Sequence, residues 1–221
     1  MGAVYKGDVS NVSASGSVSG TGGYAGGLVG EYNEGTLSNV TATGDVSDDE
    51  NVGGLVGSTT SAVDIRNSSA MGDINGSETV GGLVGKNSGN VTDSFSTGAV
   101  SGTDTVGGFV GENTDLGTIT DTYWRNTTSN PDTAFGSGTG DTTDLTSAEM
   151  RGMNATRNME NLPFYAAWVP TKGDYPEPAA LAGTDGTTAS AFDRYFPGNG
   201  TEANPYEIET APELRAINDS L

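Results

Sequence analysis

A short apolar motif bracketed by glycines recurs along the chain at a nearly constant interval. This glycine motif reads Gly-Gly-Leu/Phe-Val-Gly, and its four copies are centred on Leu28, Leu55, Leu83 and Phe109, which lie 27, 28 and 26 positions apart. A period in the twenties with one short apolar run per unit is typical of a solenoid, whose units bury apolar surface only against their neighbours. We therefore expect Leu55 and Leu83 to lie in register in neighbouring coils.

Between the glycine motifs, small or apolar residues alternate with polar ones, which is typical of β-strands. Residues 37–46 (LSNVTATGDV) show this alternation clearly. Related segments lie at 9–18, 65–74 and 91–100, and a partial copy begins at Ile119. Each unit therefore predicts about three short strands: the glycine motif, the Ile/Leu-x-Asn/Asp segment and the Ala-x-Gly-x-Val segment.

This organisation predicts an all-β fold, a right-handed parallel β-helix (β-solenoid) of about four to five coils over residues 1–121. Equivalent strands of successive coils would pair about 4.8 Å apart, which gives a stack roughly 20 Å tall. From about residue 122 the repeat pattern stops and aromatic residues such as Trp168 supply new bulk. We interpret residues 122–180 as a small mixed capping region over the exposed end of the solenoid, because bare sheet edges promote aggregation.

Helix is expected only in the last third of the chain. A capping box at Thr146 and Glu149 predicts a helix near 146–158. Residues 181–191 have the composition of a linker, and residues 192–221 are interpreted as the truncated start of a further module. The elements expected in that module are a strand at 205–209 and a helix at 211–219.

The chain is strongly acidic, with 29 Asp and Glu against 9 Lys and Arg and a formal net charge of −20. Such a surface repels nucleic acid and anionic membranes, so neither is expected as a partner. Two interpretations stay open: a soluble acidic secreted protein, and a halophilic one adapted to high salt. The chain has no cysteine and no histidine, which removes disulfides, the commonest general base and a common metal ligand. No cofactor is expected.

No run of 18 apolar residues is present, so membrane insertion is not expected. The first residues lack the apolar segment of a signal peptide, and any targeting segment is therefore expected outside this chain.

The glycine motif, followed by Asn-x-Gly-x-Ile/Leu and Ala-x-Gly-x-Val segments, resembles the GLUG repeat over roughly residues 9–124. That repeat is found in large bacterial and archaeal surface proteins, including adhesin-like proteins and the non-catalytic region of some immunoglobulin A proteases. The segment from Tyr123 to Pro176 is similar to the module that often closes such arrays, and Gly198 to Leu214 is similar to the element that opens the next one. The resemblance implies a fragment of a larger repetitive protein.

The resemblance also implies a non-catalytic extracellular or cell-surface module that acts as a structural stalk or adhesin. It brings no catalytic residues with it. The alternative is an accessory β-helix region of a larger secreted protease or polysaccharide-degrading enzyme, whose active site lies outside this chain. The partners expected are surface glycans, other cell-surface proteins, or the continuation of the chain's own solenoid in its parent protein.

One column of Asn and Asp residues recurs at steps of 28, 28, 26 and 28 positions. We interpret it as a structural ladder of side chains that hydrogen-bond along the solenoid at a turn. Its members are Asn11, Asn39, Asn67, Asp93 and Asp121. The alternative is glycosylation, because nine asparagines of the chain head Asn-x-Ser/Thr sequons. These are Asn11, Asn39, Asn67, Asn75, Asn90, Asn126, Asn154, Asn199 and Asn218.

An acidic turn is a weak candidate for calcium binding through carboxylate oxygens. It contains Asp45, Asp48, Asp49 and Glu50. No spaced Asp-x-Asp-x-Asp-Gly loop accompanies it, so a solvated acidic turn is the favoured interpretation.

Two other functions of β-helices are disfavoured by the outward-facing residues. Cleavage of acidic polysaccharides needs neighbouring columns of charged residues on one face, whereas Lys86 and Arg66 stand singly in the sequence. Ice binding needs a flat, regular threonine column, which the spacing of Thr41, Thr43 and Thr92 does not provide.

Overall fold

A computed structural model describes residues 2–126 and 131–182 of the chain. These residues form a stack of parallel sheets with almost no helix, which confirms the predicted β-solenoid. The stack makes about five turns, because the longest sheet contains strands from six successive levels. The predicted module at 192–221, with its strand and helix, and most of the predicted linker at 181–191 lie outside the described residues.

Each full turn of the chain passes through four sheets, which we name A to D in the order of the first turn. Coil 1 contains β1 (Ala3–Val4), β2 (Val9–Ala14), β3 (Val18–Ser19) and β4 (Tyr24–Gly26). Coil 2 contains β5 (Val29–Tyr32), β6 (Gly35–Ala42), β7 (Val46–Ser47) and β8 (Asn51–Gly53). Coil 3 contains β9 (Val56–Thr59), β10 (Val63–Ala70), β11 (Ile74–Asn75) and β12 (Thr79–Gly81). The prediction of three strands per coil was therefore wrong.

The later coils follow the same path with small changes. Coil 4 contains β13 (Val84–Asn87), β14 (Asn90–Thr92), β15 (Phe95–Ser96), β16 (Val100–Ser101) and β17 (Thr105–Gly107). Coil 5 contains β18 (Val110–Asn113), β19 (Thr118–Thr120) and β20 (Thr122–Arg125), and it is followed by β21 (Phe135–Ser137) and β22 (Thr142–Leu145). Within sheet B, β14 and β15 both pair with the single longer strand β10, because the chain bends between them.

The glycine motif forms the corner between sheets D and A, and the interpretation of it as a strand was wrong. In the second copy, Gly54 and Leu55 lie between the end of β8 and the start of β9. A Cβ atom on Gly54 would lie 2.3 Å from the carbonyl oxygen of Gly82 and 2.7 Å from the Cβ atom of Ala70. Only glycine therefore allows the coils to approach this closely at the corner.

The predicted register of the glycine motifs is confirmed. The Leu55 amide donates to the Leu83 carbonyl over 2.9 Å, and Val56 pairs with Val84. The side chains of Leu55 and Leu83 are fully buried. Identical positions of successive coils thus form continuous columns through the core.

The apolar core occupies the inside of the coils in two clusters. The larger one lies between sheets A and B, and one of its columns comprises Leu37, Ile65, Val91 and Ile119. The smaller one lies between sheets C and D, and it comprises Ala25, Val46, Val52, Ile74, Val80 and Val100. Both clusters contain short aliphatic side chains, because the coil is narrow.

The C-terminal end of the core is closed by Trp124. The interior column of sheet B runs Ala14, Ala42, Ala70, Ser96 and Trp124. Trp124 is only 3% exposed, and a Cβ atom on Gly108 would lie 2.2 Å from its ring. The bulk of this one indole replaces the small side chains that a further coil would contribute.

The predicted boundary at residue 122 needs correction, because the solenoid continues to residue 145. Strand β20 pairs in parallel with β15, β21 pairs with β18, and β22 pairs with β20. The repeat pattern disappears from the sequence here because the interior of this last turn is filled by large residues.

Residues 146–182 pack on the flank of the stack and form the part of the chain that differs from the repeats. They contain α1 (Met153–Asn158) and an antiparallel hairpin of β23 (Trp168–Thr171) and β24 (Asp174–Pro178). Trp168 is fully buried against Phe95, with 5.0 Å between the ring centroids, and its indole N–H donates to the Asp93 carbonyl over 3.1 Å. The aromatic bulk therefore covers the outer face of sheet B, not the end that we expected.

The predicted helix near 146–158 is shorter than expected and begins at Met153. The capping box itself forms: the Thr146 amide and hydroxyl donate to Glu149 over 2.8 and 2.7 Å. These bonds close a turn that ends at Gly152, which has a φ of 57° and interrupts the helical backbone. No helix among the described residues has the length and hydropathy needed to cross a membrane.

Candidate functional site

The predicted Asn/Asp column lies at the bend within sheet B, and its residue type is set by the backbone. All five residues have a positive φ, of 57°, 54°, 49°, 48° and 53° in chain order. Asn and Asp adopt this left-handed conformation more readily than other residues with a side chain. The column therefore marks where every coil turns, and a residue with a branched or bulky side chain would strain each bend.

Hydrogen bonding along this column differs between its two ends. The Asn39 side-chain amide donates to the Asn11 Oδ1 over 3.1 Å, as in the predicted ladder. The Oδ1 of Asn67 is buried and has no hydrogen-bond partner among the described residues. Burial raises the pKa of Asp93 above its ordinary value, and the charge of Asp121 raises it further. The column thus changes from a paired amide to two adjacent carboxylates.

A second polar column is more continuous, and the sequence patterns considered above did not predict it. The Thr59 hydroxyl donates to Asn87 Oδ1 over 2.8 Å, and the Asn87 amide donates to Asn113 Oδ1 over 2.8 Å. All three side chains are buried inside the corner between sheets A and B. Tyr32 fills the same position one coil earlier, and its hydroxyl, which has one proton to donate, lies 2.5 and 2.9 Å from the carbonyl oxygens of Gly7 and Thr36. Each residue stands two positions after a glycine motif, which is the sequence signal that could have identified it.

The acidic turn proposed as a calcium candidate uses its carboxylates to bind neighbouring backbone. Asp45 Oδ1 accepts a bond from the Asp73 amide over 2.9 Å, and Asp48 Oδ1 accepts bonds from the Gly22 and Asp49 amides. Asp49 lies 3.5 Å from the Ser77 hydroxyl. Within residues 2–126 and 131–182, no group of three or more His, Cys, Asp and Glu is arranged to hold a metal ion.

The described sequons outside the Asn/Asp column use their side-chain nitrogens in local hydrogen bonds. Asn75 and Asn90 donate to Ser101 and Asp64, each over 3.0 Å. Asn126 donates to Asp144 over 3.2 Å, and Asn154 donates to the Ala148 carbonyl over 3.1 Å. This nitrogen is the atom that would carry a glycan, and glycosylation would leave it one of its two N–H groups. Asn199 and Asn218 lie outside the described residues.

Lys86 and Arg66, which stand singly in the sequence, each form an ion pair with one carboxylate. Lys86 and Glu112 occupy one outward column of sheet A, with 2.9 Å between Nζ and Oε2. Arg66 pairs with Asp64 on sheet B over 2.7 Å. Such exposed pairs contribute about 0–1 kcal/mol each to stability. These two pairs lie on different sheets and form no shared charged cleft.

The comparison with known proteins agrees with this geometry. The model of the GLUG motif matches residues 21–47 and 76–101. Each match contains one strand of sheet D, then strands of sheets A, B and C, so one motif corresponds to one complete coil. No curated protein and no solved structure matches the chain. The described part of the chain is therefore a β-solenoid, and two of its coils match the GLUG motif.

Proposed function

We propose that this chain is a non-catalytic, extracellular or cell-surface repeat module that acts as a structural stalk or adhesin. The observation that supports the proposal is the continuous pairing of sheets A and B through every turn of the stack. Five intervals of about 4.8 Å give a length of roughly 24 Å. A stack whose coils contact only their neighbours can be lengthened coil by coil without changing its cross-section.

The internal hydrogen bonds favour a rigid spacer over a flexible tether. Backbone bonds between coils occur at the corners as well as in the strands, as between the amide of Gly54 and the carbonyl of Gly81. The buried column of Thr59, Asn87 and Asn113 adds side-chain bonds parallel to the stack axis. A partner or binding module at either end would be held at a fixed distance and orientation.

A replacement experiment in the parent protein separates the two roles. The segment 2–182 is exchanged for an unrelated solenoid of equal height, and adhesion of intact cells is measured. A stalk predicts that adhesion is kept with the exchanged segment and lost when the segment is deleted. An adhesin predicts that both changes abolish adhesion.

The extracellular location is tested by labelling intact cells with an antibody against this segment, with a cytoplasmic marker as the control. Labelling that is seen only after cell lysis would contradict the proposal.

A further inference from the structure

A cavity of about 330 Å³ opens to solvent at the N-terminal end of the stack. It lies beside the segment that connects β3 in sheet C to β4 in sheet D, and close to β5 in sheet A. The side chains that give it chemical character are Tyr24 from β4, Glu31 from β5 and Asp48 from the equivalent corner of coil 2. The remaining wall consists mainly of small residues, which leaves backbone close to the cavity.

Three departures from the repeat meet at this cavity. The first corner, residues 20–23, is one residue longer than its equivalents at 48–50, 76–78 and 102–104. Asp48 stands where the other coils have glycine. Tyr24 stands where the other coils have Asn51, Thr79 and Thr105. Insertions in repeat proteins concentrate on binding faces, since the repeats themselves need only stack.

The carboxylate of Asp48 is built into the wall of the cavity. Asp48 is only 6% exposed, and its Oδ1 accepts bonds from the Gly22 amide of the lengthened corner and from its own neighbour, Asp49. A buried carboxylate is costly unless a cation or enough hydrogen bonds compensate it. The ion pairs within residues 2–126 and 131–182 include neither Asp48 nor Glu31.

The charged side chains that line the cavity among the described residues, Glu31 and Asp48, are both negative. The sequence contains no Lys or Arg between Lys6 and Arg66, and Lys6 is paired with Glu34. Asp49 and Glu50 add to the negative charge of the same corner. The cavity therefore attracts a cation electrostatically, and it repels anions. Tyr24 is 44% exposed, so its ring is accessible from solvent.

We propose that this cavity binds a cationic amine. The ammonium group lies against the face of the Tyr24 ring, while the carboxylates of Asp48 and Glu31 balance its charge. A positive group within about 6 Å of an aromatic centroid is attracted by the ring quadrupole, and the attraction grows when water is excluded. The two carboxylates, which form no ion pair within the described residues, favour this ligand over a neutral sugar. The proposal deepens the adhesive form of the proposed function, since it names the ligand class of one site.

A titration of the full chain with matched probes tests the ligand class. Choline supplies a quaternary ammonium, 3,3-dimethylbutan-1-ol is its neutral isostere, and methyl glucoside represents a sugar. We expect choline alone to shift the backbone amide signals of Gly20, Gly22 and Tyr24 to saturation. Equal shifts with the neutral isostere, or saturation with methyl glucoside but not with choline, would overturn the proposal. This result does not depend on whether the module is a stalk.

Two substitutions identify the residues involved. Tyr24→Thr gives the residue of coils 3 and 4, and Asp48→Asn removes the charge at nearly constant shape. We expect each to weaken choline binding by roughly tenfold. Asp104→Asn makes the same charge change in the fourth corner and should alter binding less than about twofold. Unchanged affinity in Tyr24→Thr, whose side chain is 44% exposed, would overturn the site.

Discussion

The two ends of the solenoid differ within the described residues. At the N-terminal end, the edge strands β1, β2, β3 and β4 have no neighbour on one side within the described residues, and the valines beneath them are only partly buried. At the C-terminal end, Trp124 fills the interior and β21 and β22 continue over it. Small interior residues repeated in every coil would leave the end of the core uncovered. At the C-terminal end, one large side chain, that of Trp124, replaces a small one and covers the core.

Residues 146–182, the flank module, cover the outer face of sheet B, whereas a different residue closes the end of the core. Phe95 and Tyr123 point outward from sheet B and pack against Trp168 and its neighbours. Trp124, beside Tyr123 in the sequence, points inward, because successive residues of a strand face opposite sides. Of these two neighbouring residues, Trp124 therefore fills the end of the core, and Tyr123 contacts the flank module.

Removing the Trp124 side chain should give the largest loss of stability. Trp124→Ala leaves a cavity in the last turn, and we expect the free energy of unfolding to fall by about 4 kcal/mol. Urea unfolding measures the loss. Trp168→Ala is the matched control, because it removes the other tryptophan from the flank. Hydrogen exchange should show lost protection in β18 and β21 for Trp124→Ala, and in β23 and β24 for Trp168→Ala. Identical exchange patterns in the two variants would contradict separate roles for Trp124 in the core and Trp168 in the flank module.

Equivalent valines at the open end and in the interior should differ in a predictable way. Val12 and Val40 pair in register, but Val40 is fully buried and Val12 is only partly buried. We expect Val40→Ala to cost about 2 kcal/mol and Val12→Ala about 1 kcal/mol of unfolding free energy. The two variants are compared by urea unfolding in one buffer. Equal losses would mean that Val12 is as well covered as Val40.

The sequence predicted the repeating part of the fold and missed what deviates from it. The spacing of the glycine motifs was enough to predict the register of Leu55 and Leu83. The strands were miscounted because Gly54 and Leu55 look apolar and strand-like, while the close approach of coils at that corner depends on three-dimensional contacts. The sequence located the Asn/Asp column, in which Asn11 and Asn39 are hydrogen-bonded and Asn67 Oδ1 has no partner, but it did not reveal the buried column through Asn87. Polar residues in a chain rich in Asn, Ser and Thr do not reveal which of them face inward.

Salt should stabilise the first two coils more than the later ones. The Debye length falls from about 30 Å at 0.01 M to about 3 Å at 1 M, which removes repulsion among carboxylates across the stack. We expect the unfolding free energy to rise on the order of 1 kcal/mol between these concentrations of KCl. Protection from hydrogen exchange should rise most in β2 to β7, where no basic residue is present after Lys6. A melting temperature unchanged by KCl would contradict a role for the acidity in salt adaptation.

The smallest expected effect distinguishes the amide and carboxylate ends of the Asn/Asp column. Asp93→Asn removes the repulsion from Asp121 and keeps the backbone, since Asn67 already adopts nearly the same φ. Like charges opposite one another in neighbouring strands cost about 0.5 kcal/mol, so the variant should be more stable by that amount at pH 7. Asn67→Asp is the reverse control, and it should lower stability by extending the run of carboxylates to three.

The pH dependence of this effect gives a second test. The pKa of Asp93 is raised in the folded protein, so its protonated form is favoured by folding. The destabilisation by the ionised form is therefore absent below the ordinary carboxyl pKa of about 4 and is complete above the raised value. The stability gap between Asp93→Asn and the parent chain should be widest near pH 7 and should close as the pH falls below about 4. A gap that stays constant from pH 7 to pH 3 would mean that the substitution acts through packing at the bend and not through the charge.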